Sequence, residues 1–245
     1  MKLLAVDTST AQLCVGVRHG ERRHSDVSTG SATHARSLPQ RVKAMLGAAA
    51  LRPGMLDAIV VGVGPGSFSG LRIGMSFAQS MAWALDCPLV AVGSLEAMAA
   101  QCLHASQAEA VWAALDARMG SVYAGCFVLA DDGDVHAQTP VREWSSAAFF
   151  ERRAAGKAQT SKESGRAWVV GNALRLPEAQ LLEATGWGGL DAEVLPHPDT
   201  YLRLGGLRYT AGQVINAQAL TPLYVRDRVA LTRAQRDAGE RLGVE

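Results

Sequence analysis

The stretch Leu3-Leu4-Ala5-Val6-Asp7-Thr8-Ser9-Thr10 decides the fold. Four consecutive apolar residues read as a strand buried on both faces, and the acid and hydroxyls after them mark its end. The pattern returns at Trp112-Ala113-Ala114-Leu115-Asp116. Nine residues after each acid comes a glycine in an apolar strand, Gly16 and Gly125. Fifty-five residues after each comes the glycine of a Val-Gly pair at a strand end, Val61-Gly62 and Val170-Gly171. Matching offsets over this span imply two similar α/β units, each strand-strand-strand-helix-strand-helix.

Outward from that stretch, residues 13–17 read as a second strand and 21–28 as a more polar third. Residues 33–50 predict a helix, with Leu38, Val42, Met45, Leu46 and Ala49 along one face. Pro39 must lie in its first turns or kink it. Residues 58–63 predict a buried strand, 64–70 a loop, 70–85 a helix and 89–92 a strand. Ser94 is placed to cap a helix over 95–103. In the second half, 111–115 predict a strand, 174–185 and 200–212 helices, and 222–226 a short extended segment. The polar, small residues 157–165 read as a loop. The division expected is 1–105 and 106–232 as the two units, then a polar tail at 233–245.

Composition narrows the function. Of 245 residues, 48% are hydrophobic and 19% charged, which excludes a disordered chain. Lys and Arg number 24 against 23 acids, a net charge of +1, so tight nucleic-acid binding by bulk charge is disfavoured. Cys14, Cys87, Cys102 and Cys126 form no C-x-x-C, which removes zinc-ribbon and thioredoxin-like readings and leaves reduced core thiols. The six histidines make no H-E-x-x-H and no H-x-x-x-H, so no helical metal pair is expected. Asp7 comes too early for a signal peptide, and the longest apolar run, 73–85, is too short to cross a bilayer. A cytoplasmic protein without membrane contact is expected.

Asp7, Thr8 and Ser9 suit two roles. They can hold a metal-bound phosphate at the strand end, or close the hairpin as an Asx/ST turn. Gly64-Pro65-Gly66-Ser67-Phe68-Ser69-Gly70 allows close backbone approach, and Ser67 or Ser69 can cap the helix that follows. It is neither a Walker A, nor G-x-G-x-x-G, nor G-x-S-x-G. At the second strand end, Asp116-Ala117-Arg118-Met119-Gly120 puts bulk where a nucleotide site wants small residues. There Arg118 either takes an anion or pairs with an acid. The candidate vestigial phosphate set is therefore Asp7, Thr8, Ser9, Gly64, Gly66, Ser67, Asp116 and Arg118.

The helix over 70–85 is apolar nearly all round. Gly70, Gly74, Ala78 and Ala82 recur every four residues as a small stripe that admits another helix or a sheet. One side can face the sheet and the other a partner subunit. The candidate interface is His34, Leu38, Val42 and Met45 with Gly70, Ile73, Gly74, Phe77, Ala78, Met81 and Ala82. On this reading, Gly74→Arg removes partner binding and leaves the fold intact.

Asp7-Thr8-Ser9-Thr10, Gly64 to Gly74, Asp116-Ala117-Arg118-Met119-Gly120-Ser121-Val122-Tyr123 and Pro222-Leu223-Tyr224-Val225-Arg226 occur in an order and spacing that resemble the bacterial TsaB (YeaZ) family, over residues 1–232. The resemblance implies two duplicated units of the acetate/sugar kinase–Hsc70–actin (ASKHA) fold, α/β with mixed sheets flanked by helices. It implies a role in threonylcarbamoylation of the adenosine beside the anticodon, in tRNAs reading codons that begin with A. The role implied is that of a non-catalytic partner, without metal or cofactor, of a paralogous TsaD-like transferase and a TsaE-like ATPase. It also implies a homodimer when the TsaD-like protein is absent, and contact with tRNA only through the complex. The shared face would be the first two helices. Two alternatives compete. An ATP-dependent phosphotransferase or ATPase of the same fold needs Asp7 and Asp116 for Mg-phosphate chemistry, and a metallopeptidase needs a bound metal. Arg226, Arg228, Arg233 and Arg236 form a modest basic segment, interleaved with Asp227 and Asp237, that reads as a solvated tail.

Overall fold

A computed structural model describes residues 1–30, 34–155, 166–183 and 185–225. The loop expected at 157–165, the basic segment from Arg226 and the tail at 233–245 lie outside the described residues. The first sheet holds β1 (Lys2–Asp7), β2 (Gln12–His19), β3 (Arg22–Thr29), β4 (Ala58–Gly62) and β5 (Leu89–Val92), in the order β3-β2-β1-β4-β5. β1 runs antiparallel to β2 and parallel to β4. The second sheet holds β6 (Ala110–Arg118), β7 (Ser121–Leu129), β8 (Val135–Ala137), β9 (Arg142–Ser145), β10 (Ala167–Val170) and β11 (Gly189–Asp191). Its order, β11-β10-β6-β7-β8, repeats the first, with β9 paired along the far end of β7. β6 is antiparallel to β7 and parallel to β10. The landmarks of the repeat fall on equivalent strands: Gly16 on β2 and Gly125 on β7, Val61-Gly62 on β4 and Val170-Gly171 at the end of β10.

Burial explains why β1 carries no polar alternation. Leu3 and Ala5 face one apolar cluster while Leu4 and Val6 face another. The second cluster lies under α1 (His34–Ala48) and α2 (Phe68–Leu85), which cover the outer face of the first sheet. The first cluster lies between the two sheets and is built on α3 (Ser94–Ala105) and α5 (Pro198–Thr210). A third cluster lies beneath α4 (Ser146–Ala155) on the outer face of the second sheet. The central helices cross over: α3, from the first unit, packs on β6 and β7, and α5, from the second, packs on β1 and β2. Arg208 of α5 ties this layer together. Its guanidinium donates to Asp134 (2.9 and 3.1 Å), to Glu96 of α3 (3.0 Å) and to the carbonyl of Ala91 on β5 (3.1 Å).

Two expectations need correction. Residues 174–185 are not one helix but two short 3-10 segments, Asn172–Arg175 and Pro177–Leu182. Pro177 forces Leu176 into an extended conformation (φ −74°, ψ 146°), and the first segment ends there. Ser94 does not cap α3. Gly93 is the cap residue, with its N–H donated to Glu96 at 2.8 Å, and the Ser94 hydroxyl turns instead to Ser9. Pro39 lies inside α1, which starts at His34 among the described residues. The four thiols are free, three of them buried and Cys87 half-buried. Burial pushes the Cys126 thiol up to about 12, which keeps it protonated. Among the described residues no helix is long and apolar enough to cross a membrane.

Candidate functional site

At the end of β1 the chain buries its acid. Asp7 is 1% exposed. Its Oδ2 accepts the Ser9 hydroxyl at 2.9 Å and its Oδ1 accepts the Ser9 N–H at 3.2 Å. Loss of water pushes the carboxyl up to about 6, although these bonds and the nearby Tyr201 phenol pull the other way. Gly62, on the neighbouring strand β4, makes the room: a Cβ there would stand 2.0 Å from Asp7 Oδ1. The Ser9 hydroxyl also takes the Ser94 hydroxyl at 2.8 Å, and Thr8 Oγ1 donates to the Gly70 carbonyl at 2.7 Å. The geometry is that of the Asx/ST turn, and Asp7 and Thr8 are closed to a phosphate.

A cleft of about 520 Å³ opens beside this turn, between the two units. Ser9, Gly66, Ser67, Asp116 and Arg118 line it, with Thr10, Tyr123 and Asn172, while Asp7, Thr8 and Gly64 do not. The polar groups at its wall are largely engaged with one another. Arg118 gives its N–H to Asp116 Oδ1 (2.8 Å) and sets its guanidinium 3.2 Å from Oδ2, so it pairs with an acid. Asn172 Oδ1 accepts the Asp116 N–H at 2.9 Å. Ser67 caps α2 by accepting the Gly70 N–H at 3.3 Å. Gly64 needs its freedom for a φ of +100°, and its carbonyl accepts the Ser94 N–H. Gly66 is required for space instead, since a Cβ would meet the Ser9 carbonyl at 2.2 Å. Leu223, Tyr224 and Val225 also line the cleft. Leu223 donates its N–H to Val63 (2.8 Å), and the Tyr224 ring lies 5.7 Å from Phe68, on whose face Arg72 stacks at 3.9 Å. Sequence reading placed this segment as extended but gave it no site.

The second place is the outer side of α1 and α2. Here the expected interface set divides. Gly70, Gly74, Ala78 and Ala82 are buried within the chain, and so are His34, Leu38 and Val42. A Cβ at Gly70 would lie 2.1 Å from the Thr8 carbonyl, and one at Gly74 2.4 Å from Thr8 Oγ1. The small stripe therefore seats α2 on its own strand-end turn, and these seven residues do not face a partner. Met45, Ile73, Phe77 and Met81 differ: they stay half-buried at the outer edge of the cluster. Ile73, Phe77 and Met81 follow one another every four residues, which is one ridge of the helix. Trp83, 68% exposed near the end of α2 beside Pro88 and Ile215, is away from this ridge and was not singled out by the sequence pattern. An indole outside the buried stripe of a capped helix was the available signal.

Among the described residues no group of three or more His, Cys, Asp or Glu side chains is placed to hold a metal ion.

Comparison with known proteins converges on one family. Residues 28–138 match the family model described as TsaD, tRNA N6-adenosine threonylcarbamoyltransferase. The tRNA threonylcarbamoyladenosine biosynthesis protein TsaB of Haemophilus influenzae is 30% identical, over 94% of this chain and 95% of its own length. The Escherichia coli protein of the same name is 27% identical, over 94% and 96%. The crystal structure of a Pseudomonas aeruginosa protein described as similar to the peptidase YEAZ superposes with a TM-score of 0.81 at 31% identity. It covers 92% of this chain and 99% of that one. A structure of YeaZ from the same organism gives 0.79 at 29% identity, covering 91% and 99%. With two units of matching strand order and a relative 30% identical over nearly the whole length of both chains, the chain belongs to the TsaB (YeaZ) family.

Proposed function

We propose that this chain is the non-catalytic subunit that binds and activates a TsaD-like threonylcarbamoyl transferase, together with a TsaE-like ATPase. The reaction served is threonylcarbamoylation of the adenosine next to the anticodon in tRNAs reading A-starting codons. The observation that carries the partner role is the ridge of Ile73, Phe77 and Met81 beside Met45. It is apolar and incompletely covered, and it borders the face of the helix that is already committed to the chain's own sheet. Such a ridge suits a helix-on-helix contact. In the absence of the TsaD-like protein the same ridge serves a second copy, and tRNA is engaged through the complex in the cytoplasm. The non-catalytic part is supported by Asp7, whose carboxylate oxygens are taken up by Ser9 in the interior, and by the Asp116–Arg118 pair at the cleft wall.

Reconstitution tests the reading. TsaD-like and TsaE-like proteins, threonylcarbamoyl-adenylate synthase, substrates and unmodified tRNA are combined with and without this chain. Modified nucleoside forms only with it, and Asp7→Asn still supports the reaction. Equal modification without the chain overturns the proposal. ATP binding abolished by Asp7→Asn favours the phosphotransferase alternative.

A further inference from the structure

Three guanidinium groups converge on one indole at the outer face of the second sheet. Arg142, Arg152 and Arg153 hold their Cζ atoms 5.1, 5.7 and 5.9 Å from the centre of the Trp144 ring. Arg153 is 4% exposed and stacks 3.9 Å over Trp112, and one of its terminal nitrogens is buried without a hydrogen-bond acceptor. The indole N–H of Trp144 is likewise buried without one. Among the described residues, no carboxylate pairs with any of the three arginines. Burial first, and then the neighbouring Arg152, lower the pKa of Arg153, with Cys126 opposing them.

The nearby acids are kept apart by local geometry. Arg142 and Trp144 share one face of β9, and Glu143 between them takes the other. On α4 the buried side is Ser146, Phe149, Phe150 and Arg153. Arg152 borders that side and Glu151 falls on the opposite one. Stacking on an indole offsets only part of what an exposed cation loses without a carboxylate partner. Among the described residues these cations have little return, an arrangement suited to an anion from outside.

We propose that Arg142 and Arg152, with Trp144 between them and Arg153 as a fixed charge behind, contact the phosphate backbone of an RNA. Arginine forks fit phosphate oxygens in pairs, and arginine interleaved with an aromatic ring is the pattern of RNA contact. The choice of RNA over an acidic protein rests on the function proposed above. With a net charge of +1 for the chain, the contact is weak and assists binding that the complex provides.

The test needs no partner protein. Anisotropy of a labelled, unmodified tRNA transcript is measured with the isolated chain at several salt concentrations. The wild type binds at low salt. R142Q/R152Q, altered only at exposed positions, weakens binding about tenfold and makes the log–log salt dependence shallower by about 1.4 to 1.8, as two lost phosphate contacts require. Equal binding by both proteins, or none by the wild type, overturns the proposal. So does a double variant that binds tRNA normally but no longer holds the TsaD-like protein, which makes the patch an acidic-protein contact. A chain that supports tRNA modification while its double variant binds tRNA normally loses only this inference. A chain that fails in reconstitution but shows arginine-dependent tRNA binding loses only the function proposed above.

Discussion

Gly74 lies against Thr8 so closely that a Cβ on the glycine would stand 2.4 Å from Thr8 Oγ1. That contact fixes α2 on the turn that ends β1, and it reverses what a substitution there reports. Inside a helix, Gly→Ala ordinarily gains about 1 kcal/mol. Here it forces Thr8, whose hydroxyl is already tied to Gly70, out of place. Gly74→Ala is expected to lose about 1–3 kcal/mol in denaturant unfolding, and Gly74→Arg to give no folded protein. A Gly74→Arg protein that melts like the wild type would sink the packing assignment.

The outer ridge is tested one step along the same helix. Phe77→Glu places a charge on a half-buried position without filling the contact to Thr8. The variant is expected to fold, with a melting temperature within a few degrees of wild type, and to lose at least about 2 kcal/mol of affinity for the TsaD-like partner. Calorimetric titration reads this as a weakening of about thirtyfold. Unchanged affinity would place the interface elsewhere.

The contrast between Gly74 and Phe77 shows where the sequence was legible. Periodicity identified α2 as apolar all round, and repeated offsets identified two equivalent units. Both rest on local pattern, which a strand or helix must carry. Which side of α2 meets the chain's own sheet depends on Thr8, 66 residues away in the sequence. No period encodes that distance. The same limit hid the Ser9–Ser94 bond, which redirected an apparent helix cap, and the approach of Leu223 to Val63. The Arg142, Arg152 and Trp144 cluster joins a strand and a helix, and neither element announces it alone. Pro177 was different. It was visible in the sequence, and its ordinary effect on the preceding residue was enough to divide the helix expected there.

Arg208 gives a stability prediction of the opposite kind. Burial alone would raise the Asp134 carboxyl, but bonds from Arg208 and from the Val135 N–H hold it below its ordinary value. Folding therefore gains from the ionised acid above the unfolded-state pKa, and the gain disappears as pH falls through the lower folded value. Arg208→Met removes the guanidinium and leaves Asp134 and Glu96 without it between the sheets. The expected loss is about 3–5 kcal/mol at neutral pH, smaller at acid pH where Asp134 is protonated. Urea unfolding at two pH values measures it, and an equal loss at both would contradict the assigned cause.

Asp7 reverses that pH dependence. Its folded pKa is about 6 against an ordinary 3.8, because desolvation outweighs the bonds from Ser9. Between these values the folded state binds the proton that the unfolded state has released. Stability therefore falls as pH rises from about 4 to 6, and the gap corresponds to roughly 3 kcal/mol that is absent below the lower value and fully present above the upper one. Asp7→Asn cannot ionise, so its unfolding free energy should lack this fall. The difference between variant and wild type is then expected to shift in favour of the variant by up to about 3 kcal/mol between pH 4 and pH 7. The lost Ser9 bonds move both ends of that comparison together, so the slope isolates the ionisation. A wild type and variant with parallel pH profiles would mean that Asp7 ionises as readily as an exposed acid, and the sealed strand end would no longer separate this chain from a phosphate-binding relative of the same fold.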